Sequence, residues 1–113
     1  MNLEMAGQSG NLFYPRKTGI FITYYDASPE LIERVDKSWR DLTGRPLDSE
    51  KSISDDSQCF MAAGIPSITI GFNGVPGPGM GGFHTEKDTM ARVDPENLKL
   101  MARVIGKIIE GFR

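Results

Sequence analysis

The hydrophobic positions along the chain change period several times, and each change predicts an element. Leu31, Val35, Trp39 and Leu42 recur at spacings of four, four and three, which puts them on one face of a helix. Ser28 before Pro29 supplies an N-cap and a first-turn proline, and Gly44 with Pro46 ends the helix. A second helical stripe runs through Leu98, Met101, Ala102, Ile105, Ile108, Ile109 and Phe112, opened by Asp94-Pro95-Glu96. Gly106 inside it costs about 1 kcal/mol relative to alanine, which the broad stripe offsets. Elsewhere the period falls to two. Ser67 to Phe72 places Ile68, Ile70 and Phe72 on one side, the pattern of a strand. Ile20-Phe21-Ile22-Thr23-Tyr24-Tyr25 is β-branched and aromatic throughout and predicts a strand. Asn2-Leu3-Glu4-Met5-Ala6 is a short, mostly apolar run closed by Gly7, read as a buried strand.

The intervening stretches read as loops. Residues 8–19 contain Gly10, Pro15 and Gly19. Ile53 to Ala63 reads as a loop leading into a short helix, which Gly64 and Pro66 end. Residues 73–83 are rich in glycine and proline and read as a long flexible loop. The order strand, strand, helix, short helix, strand, helix predicts α/β layers. A buried strand needs neighbours on both sides, and none precedes the first one, so the expectation is a partial sheet.

Composition narrows the chemistry. With 39% hydrophobic and 25% charged residues the chain is globular rather than disordered. Its 113 residues suit one domain spanning 1–113. A net charge of -2 gives no electrostatic reason to expect nucleic acid or an anionic membrane as partner. No apolar stretch has the form of a signal peptide or a membrane span, so a soluble chain is expected, of unassigned compartment. One cysteine excludes an internal disulfide and a Cys-based zinc site, and one histidine excludes any site needing two from the same chain.

Few residues remain as candidates. His84, in Gly81-Gly82-Phe83-His84-Thr85, is either a loop histidine or a metal ligand placed beyond the carboxyl end of a strand. Glu4 is a carboxylate in an apolar run. It either faces water on an edge strand or is paired or metal-bound, because an unpaired buried charge is costly. Asp55-Asp56 either caps a helix or turns a carboxylate into a cleft. Gly77-Pro78-Gly79-Met80-Gly81-Gly82 fits G-x-G-x-x-G formally, but no βαβ unit surrounds it and Pro78 lacks a backbone donor, so a loop or lid is the better account. Cys59 reads as a small apolar residue of the short helix.

Four segments together resemble the di-zinc exopeptidases of the aminopeptidase, glutamate carboxypeptidase and glutaminyl cyclase type. Asn2-Leu3-Glu4-Met5-Ala6-Gly7 is similar to their N-L-[DE]-M-x-G strand, and Asp55-Asp56-Ser57-Gln58-Cys59-Phe60 to their S-D-H-x-x-F segment. Ala63-Gly64-Ile65-Pro66-Ser67-Ile68 resembles A-G-I-P-A-[IL]. His84-Thr85-Glu86-Lys87-Asp88-Thr89, followed by Val93-Asp94, resembles H-T-x-x-D-T…[VI]-D. The resemblance implies a mixed, largely parallel sheet between helices. It also implies two zinc ions held by His, a bridging Asp, Glu, Asp or Glu, and His in chain order, with a further Glu activating water. Glu4 then takes the fourth ligand position and His84 the fifth, while Asp56 lies near the site without being a ligand.

The departures shape the functional expectation. In the family the first three ligands and the catalytic Glu precede the N-L-[DE]-M strand, and the fourth and fifth ligands serve different metals. This chain would offer each zinc one ligand, whereas a catalytic zinc needs three. Ser57 also stands where the S-D-H segment has His. The expectation is therefore the C-terminal half of a peptidase domain, inactive alone, completed by its N-terminal half or by a second copy of the chain. The whole would act as an aminopeptidase on peptides. Two alternatives stay open: a non-catalytic binding or dimerisation module of the same fold, and a glutaminyl-cyclase relative, echoed by Asp55-Asp56.

Overall fold

Ser28 and Asp94 start the two long helices as their side chains predict. Ser28 Oγ accepts from Leu31 N, Asp94 Oδ1 accepts from the Glu96 and Asn97 amides, and a proline follows each cap. The structure is a computed structural model that describes residues 1–74 and 85–112. The elements are β1 (Asn2–Leu3), β2 (Leu12–Ile20), β3 (Thr23–Asp26), α1 (Pro29–Thr43), β4 (Asp48–Ile53), α2 (Ser57–Ala62), β5 (Thr69–Phe72) and α3 (Pro95–Glu110), with a 3-10 turn at Met90–Arg92.

The strands form one mixed sheet, so the expected α/β class stands. β1 runs parallel to β5, and β5 runs antiparallel to the first residues of β2. β3 pairs antiparallel with the second half of β2, and β4 runs parallel to it. One face of the sheet carries the core. Leu12, Ile68, Ile70 and Phe72 meet Val35 and Trp39 of α1 and Met101, Val104 and Ile108 of α3. The stripe spacing that predicted the helices is therefore the contact between them and the sheet. Side chains alternate across a strand, so Thr69 points to the opposite face. There its hydroxyl meets Ser57 at the start of α2. Two long helices cover one face, and the short helix lies on the other.

Two local expectations are corrected, and one strand was not anticipated. Ile20–Tyr25 is not one strand. Ile20 pairs with Thr23 across a two-residue turn, Phe21 has φ 58, and Phe21 and Ile22 are 88% and 96% exposed. The apolar composition of those two residues reports no burial. Residues 8–19 are not a loop, because most belong to β2, the longest strand. Pro15 is tolerated there because it falls between the residues paired with β5 and those paired with β3. β4 was hidden because Asp48-Ser49-Glu50-Lys51-Ser52 has no apolar alternation; polar and charged side chains suit an edge strand.

The turn assignment makes a prediction. Ile22→Asn is expected to leave stability within about 0.5 kcal/mol of the parent, measured by urea unfolding. A buried isoleucine would contribute about 1.5–3 kcal/mol, so a loss of that size would overturn the exposed turn.

Candidate functional site

Glu4 follows β1 directly, at the carboxyl end of the parallel β1–β5 pair. Asn2 lies opposite Thr69 and Leu3 opposite Ile70; the Asn2 amide donates to Ile68 O at 2.9 Å and the Glu4 amide to Ile70 O at 3.0 Å. The chain then leaves the sheet sharply. Met5 takes the left-handed conformation at φ 50, and Gln8 N donates back to Met5 O at 3.1 Å. Such a conformation is uncommon for a residue with a Cβ and persists where surrounding contacts enforce it. Those contacts come from α3. Asn97 Nδ2 donates to the carbonyls of Gln8 at 2.8 Å and Gly10 at 3.2 Å, and Asp94 N donates to Gly7 O at 2.7 Å.

The Glu4 side chain is partly buried. Its Oε1 accepts from Asn2 Nδ2 at 3.2 Å, and no described residue donates to Oε2. Asn2 Nδ2 also donates to Thr69 Oγ1 at 3.3 Å, and Thr69 donates to Ser57 Oγ at 3.1 Å. Ser57 closes the series on Asp55, whose Oδ1 accepts from Ser57 Oγ at 2.5 Å and from Ser57 N at 2.8 Å. Asp55 Oδ2 is buried with no hydrogen-bond partner among the described residues.

The two adjacent acids thus differ. Asp56 stands at the N-cap of α2, but its side chain makes no capping bond and is exposed. Asp55 makes the hydrogen bonds that reach toward Glu4. His84 and the Gly77–Gly82 segment lie outside the described residues. Cys59, expected to pack as an apolar residue, is exposed. Away from this region, the Asp41 carboxyl on α1 is held below its ordinary value. The hydrogen bond from Lys37 is the main cause; desolvation opposes it, and the Lys37 and Lys107 charges add to it.

Asn2 opens the N-L-[DE]-M-x-G segment but, like Thr69, was not a candidate from sequence. Asn2 sits two residues before Glu4 and so shares its strand face, which was a usable signal. Thr69 joins them only through the β1–β5 register.

The donor chemistry can be set against a zinc centre. A carboxylate with one oxygen held and the other unclaimed suits a single zinc ligand. Among the described residues no three His, Cys, Asp or Glu side chains converge on one point. The described residues therefore fit a share of a zinc centre rather than a whole one.

A carboxylate at the carboxyl end of a parallel strand in an α/β sheet stands where such sheets bind ligands. The chain belongs to peptidase family M28, whose family model matches residues 1–109. That family is zinc-dependent and of aminopeptidase and carboxypeptidase type. Neither the curated proteins nor the solved structures compared with the chain match it. Among the described residues no helix is long and apolar enough to cross a membrane.

Proposed function

We propose that this chain supplies two ligands to the metal centre of a zinc-dependent exopeptidase, Glu4 to one zinc and His84 to the other. The complete protein hydrolyses the N-terminal bond of peptides. The observation that carries this is Glu4 itself: it stands at the carboxyl end of the β1–β5 pair, with Oε1 held by Asn2 and no described donor on Oε2. Zinc, when bound there, polarises the amide carbonyl and lowers the pKa of water. The chain's own contribution is to place a charged donor of fixed orientation. Asp56, exposed at the start of α2, belongs to the substrate side of the pocket.

A catalytic zinc takes three protein ligands, and one histidine with one suitably placed glutamate leaves each zinc short. The remaining ligands and the catalytic Glu come from the N-terminal half of the domain or from a second copy of the chain. The sheet edge supports such a partner. Among the described residues β1 pairs only with β5, and Met1 and Leu3 are exposed; a free edge of this kind accepts another strand. The same edge favours a second reading, in which the chain is a non-catalytic pairing module of the same fold.

Zinc titration calorimetry on the purified chain tests the first reading, with Glu4→Gln and His84→Ala as controls. Weak binding and no turnover of a peptide substrate are expected. Tight binding lost in His84→Ala would assign completion of the site to a second copy. Robust aminopeptidase activity from the chain alone would overturn the shared centre.

A further inference from the structure

Two carboxylates, Glu4 and Asp55, are joined by an unbroken series of hydrogen bonds through Asn2, Thr69 and Ser57. Thr69 is 0% and Ser57 1% exposed, so neither hydroxyl has water as an alternative partner. An ionised carboxylate only accepts hydrogen bonds. With an acceptor at each end, the donors must run outward in both directions from one point in the series. A hydroxyl has one proton and cannot do this. An amide NH2 has two, and Asn2 stands where the direction divides, donating to Glu4 at 3.2 Å and to Thr69 at 3.3 Å. The reversed amide would turn its carbonyl oxygen toward a carboxylate oxygen, so these partners fix the assignment.

Asp55 sets the direction of the rest. Its Oδ1 takes both the hydroxyl and the amide proton of Ser57. Ser57 is thereby committed as a donor toward Asp55 and presents its lone pair to Thr69. Thr69 donates to it and presents a lone pair to Asn2. One Asn2 proton goes to Thr69 and the other is left for Glu4. Each bond polarises the next. A buried acceptor without a partner, such as Asp55 Oδ2, is destabilising. A group kept at that cost calls for an account beyond stability.

We propose that Asp55, Ser57, Thr69 and Asn2 form a positioning relay that holds the Glu4 carboxylate in one orientation, its Oε2 presented to a divalent cation. The proposal rests on reading Glu4 as a metal ligand. It assigns Asp55, rather than the exposed Asp56, to the metal side of the α2 start. It also gives Ser57 a role at the position where the resembling segment has histidine.

The test uses NMR on the whole chain, with Mn²⁺ added as the probe because paramagnetic broadening registers weak binding. The expected site of broadening is Glu4 and the Asn2 side-chain amide. Thr69→Val keeps the shape and removes the hydroxyl. It is expected to free the Asn2 amide protons to exchange faster and to weaken Mn²⁺ binding about 10-fold or more, the scale found for groups that orient a metal ligand. Thr69→Ser is expected to restore both. Ser57→Ala should act in the same direction, and it carries the test if Thr69→Val does not fold. Unchanged Mn²⁺ affinity in a folded Thr69→Val or Ser57→Ala chain would overturn the relay while leaving Glu4 as a ligand. No broadening at Glu4 in the parent, or broadening that survives Glu4→Gln, would overturn the ligand reading and the relay with it.

Discussion

Gly71→Ala is expected to force β1 away from β5 and to take the Glu4 site with it. A Cβ on Gly71 would collide with Glu4 O and stand 3.2 Å from Glu4 C, with Phe13 Cε1 at 3.3 Å. The first two are backbone atoms and have no rotamer to escape into. The residue must be glycine because the backbone of Glu4, where the chain leaves β1, lies against it. Overpacking costs about 1–3 kcal/mol, and a backbone clash on a two-residue strand belongs at the upper end. The bonds that order β1, Asn2 N to Ile68 O and Glu4 N to Ile70 O, are the ones displaced. Hydrogen exchange should therefore accelerate at the Asn2 and Glu4 amides while amides of α1 and α3 keep their protection. Protection at Glu4 equal to that of the parent would show that β1 does not pass as closely as described.

Trp39→Ala is the variant expected to lose most stability. Trp39 is fully buried and meets Phe72 edge-on at 5.9 Å between ring centroids and 62° between planes. Its Nε1 donates to Asn11 Oδ1 at 3.0 Å, and the Arg45 guanidinium lies 4.9 Å from the ring centroid. Removing a buried aromatic of this size costs about 3–5 kcal/mol. Each kcal/mol lowers the midpoint by about 4–8 °C in small domains, so a drop in Tm of more than ~10 °C is expected. Trp39→Phe separates the contributions, since it retains ring contact with Phe72 and loses the hydrogen bond, for about 1 kcal/mol. The bond has a wider role. Asn11 N also donates to Asn73 Oδ1 at 3.0 Å, and Asn73 Nδ2 donates to Asp48 Oδ2 at 3.0 Å. Trp39 thus ties α1 to the junction of β2, β4 and β5. A thermal midpoint for Trp39→Ala within a few degrees of the parent would mean the core repacks around the gap.

Legibility followed the strength of local signals. α1 and α3 could be read because period, caps and first-turn prolines agree with one another in the same segments. β5 could be read because Ile68, Ile70 and Phe72 face the helices. β2 could not, since Pro15 and Gly19 punctuate it and its pairing with three other strands is decided by tertiary structure. Phe21 and Ile22 misled because apolar side chains at a turn tip look like a strand until their exposure is known. At the site, Glu4 stood out as a charge in an apolar run, and four motifs placed the chain in its family. Adjacency alone could not separate Asp55 from Asp56; only the position of Ser57 against Thr69 does. The hydrogen bonds from Asn2 to Thr69 and from Thr69 to Ser57 were invisible because they join residues 67 and 12 positions apart in the chain.

The shortness of β1 couples the site to folding. Asn2 meets Thr69 across 67 positions, so joining them requires closure of a long loop, whose entropic cost must be met by few contacts. Residues 1–5 contribute nothing to the buried cluster around Trp39. They can peel from β5 while that cluster stays intact, and their opening free energy is expected to lie well below that of global unfolding. A cation bound at Glu4, as proposed, would add its binding free energy to this segment first, because only the docked form offers the oriented carboxylate. Occupancy of the site and attachment of β1 would then be one equilibrium, with ligand concentration setting how much of the time this end of the sheet is assembled.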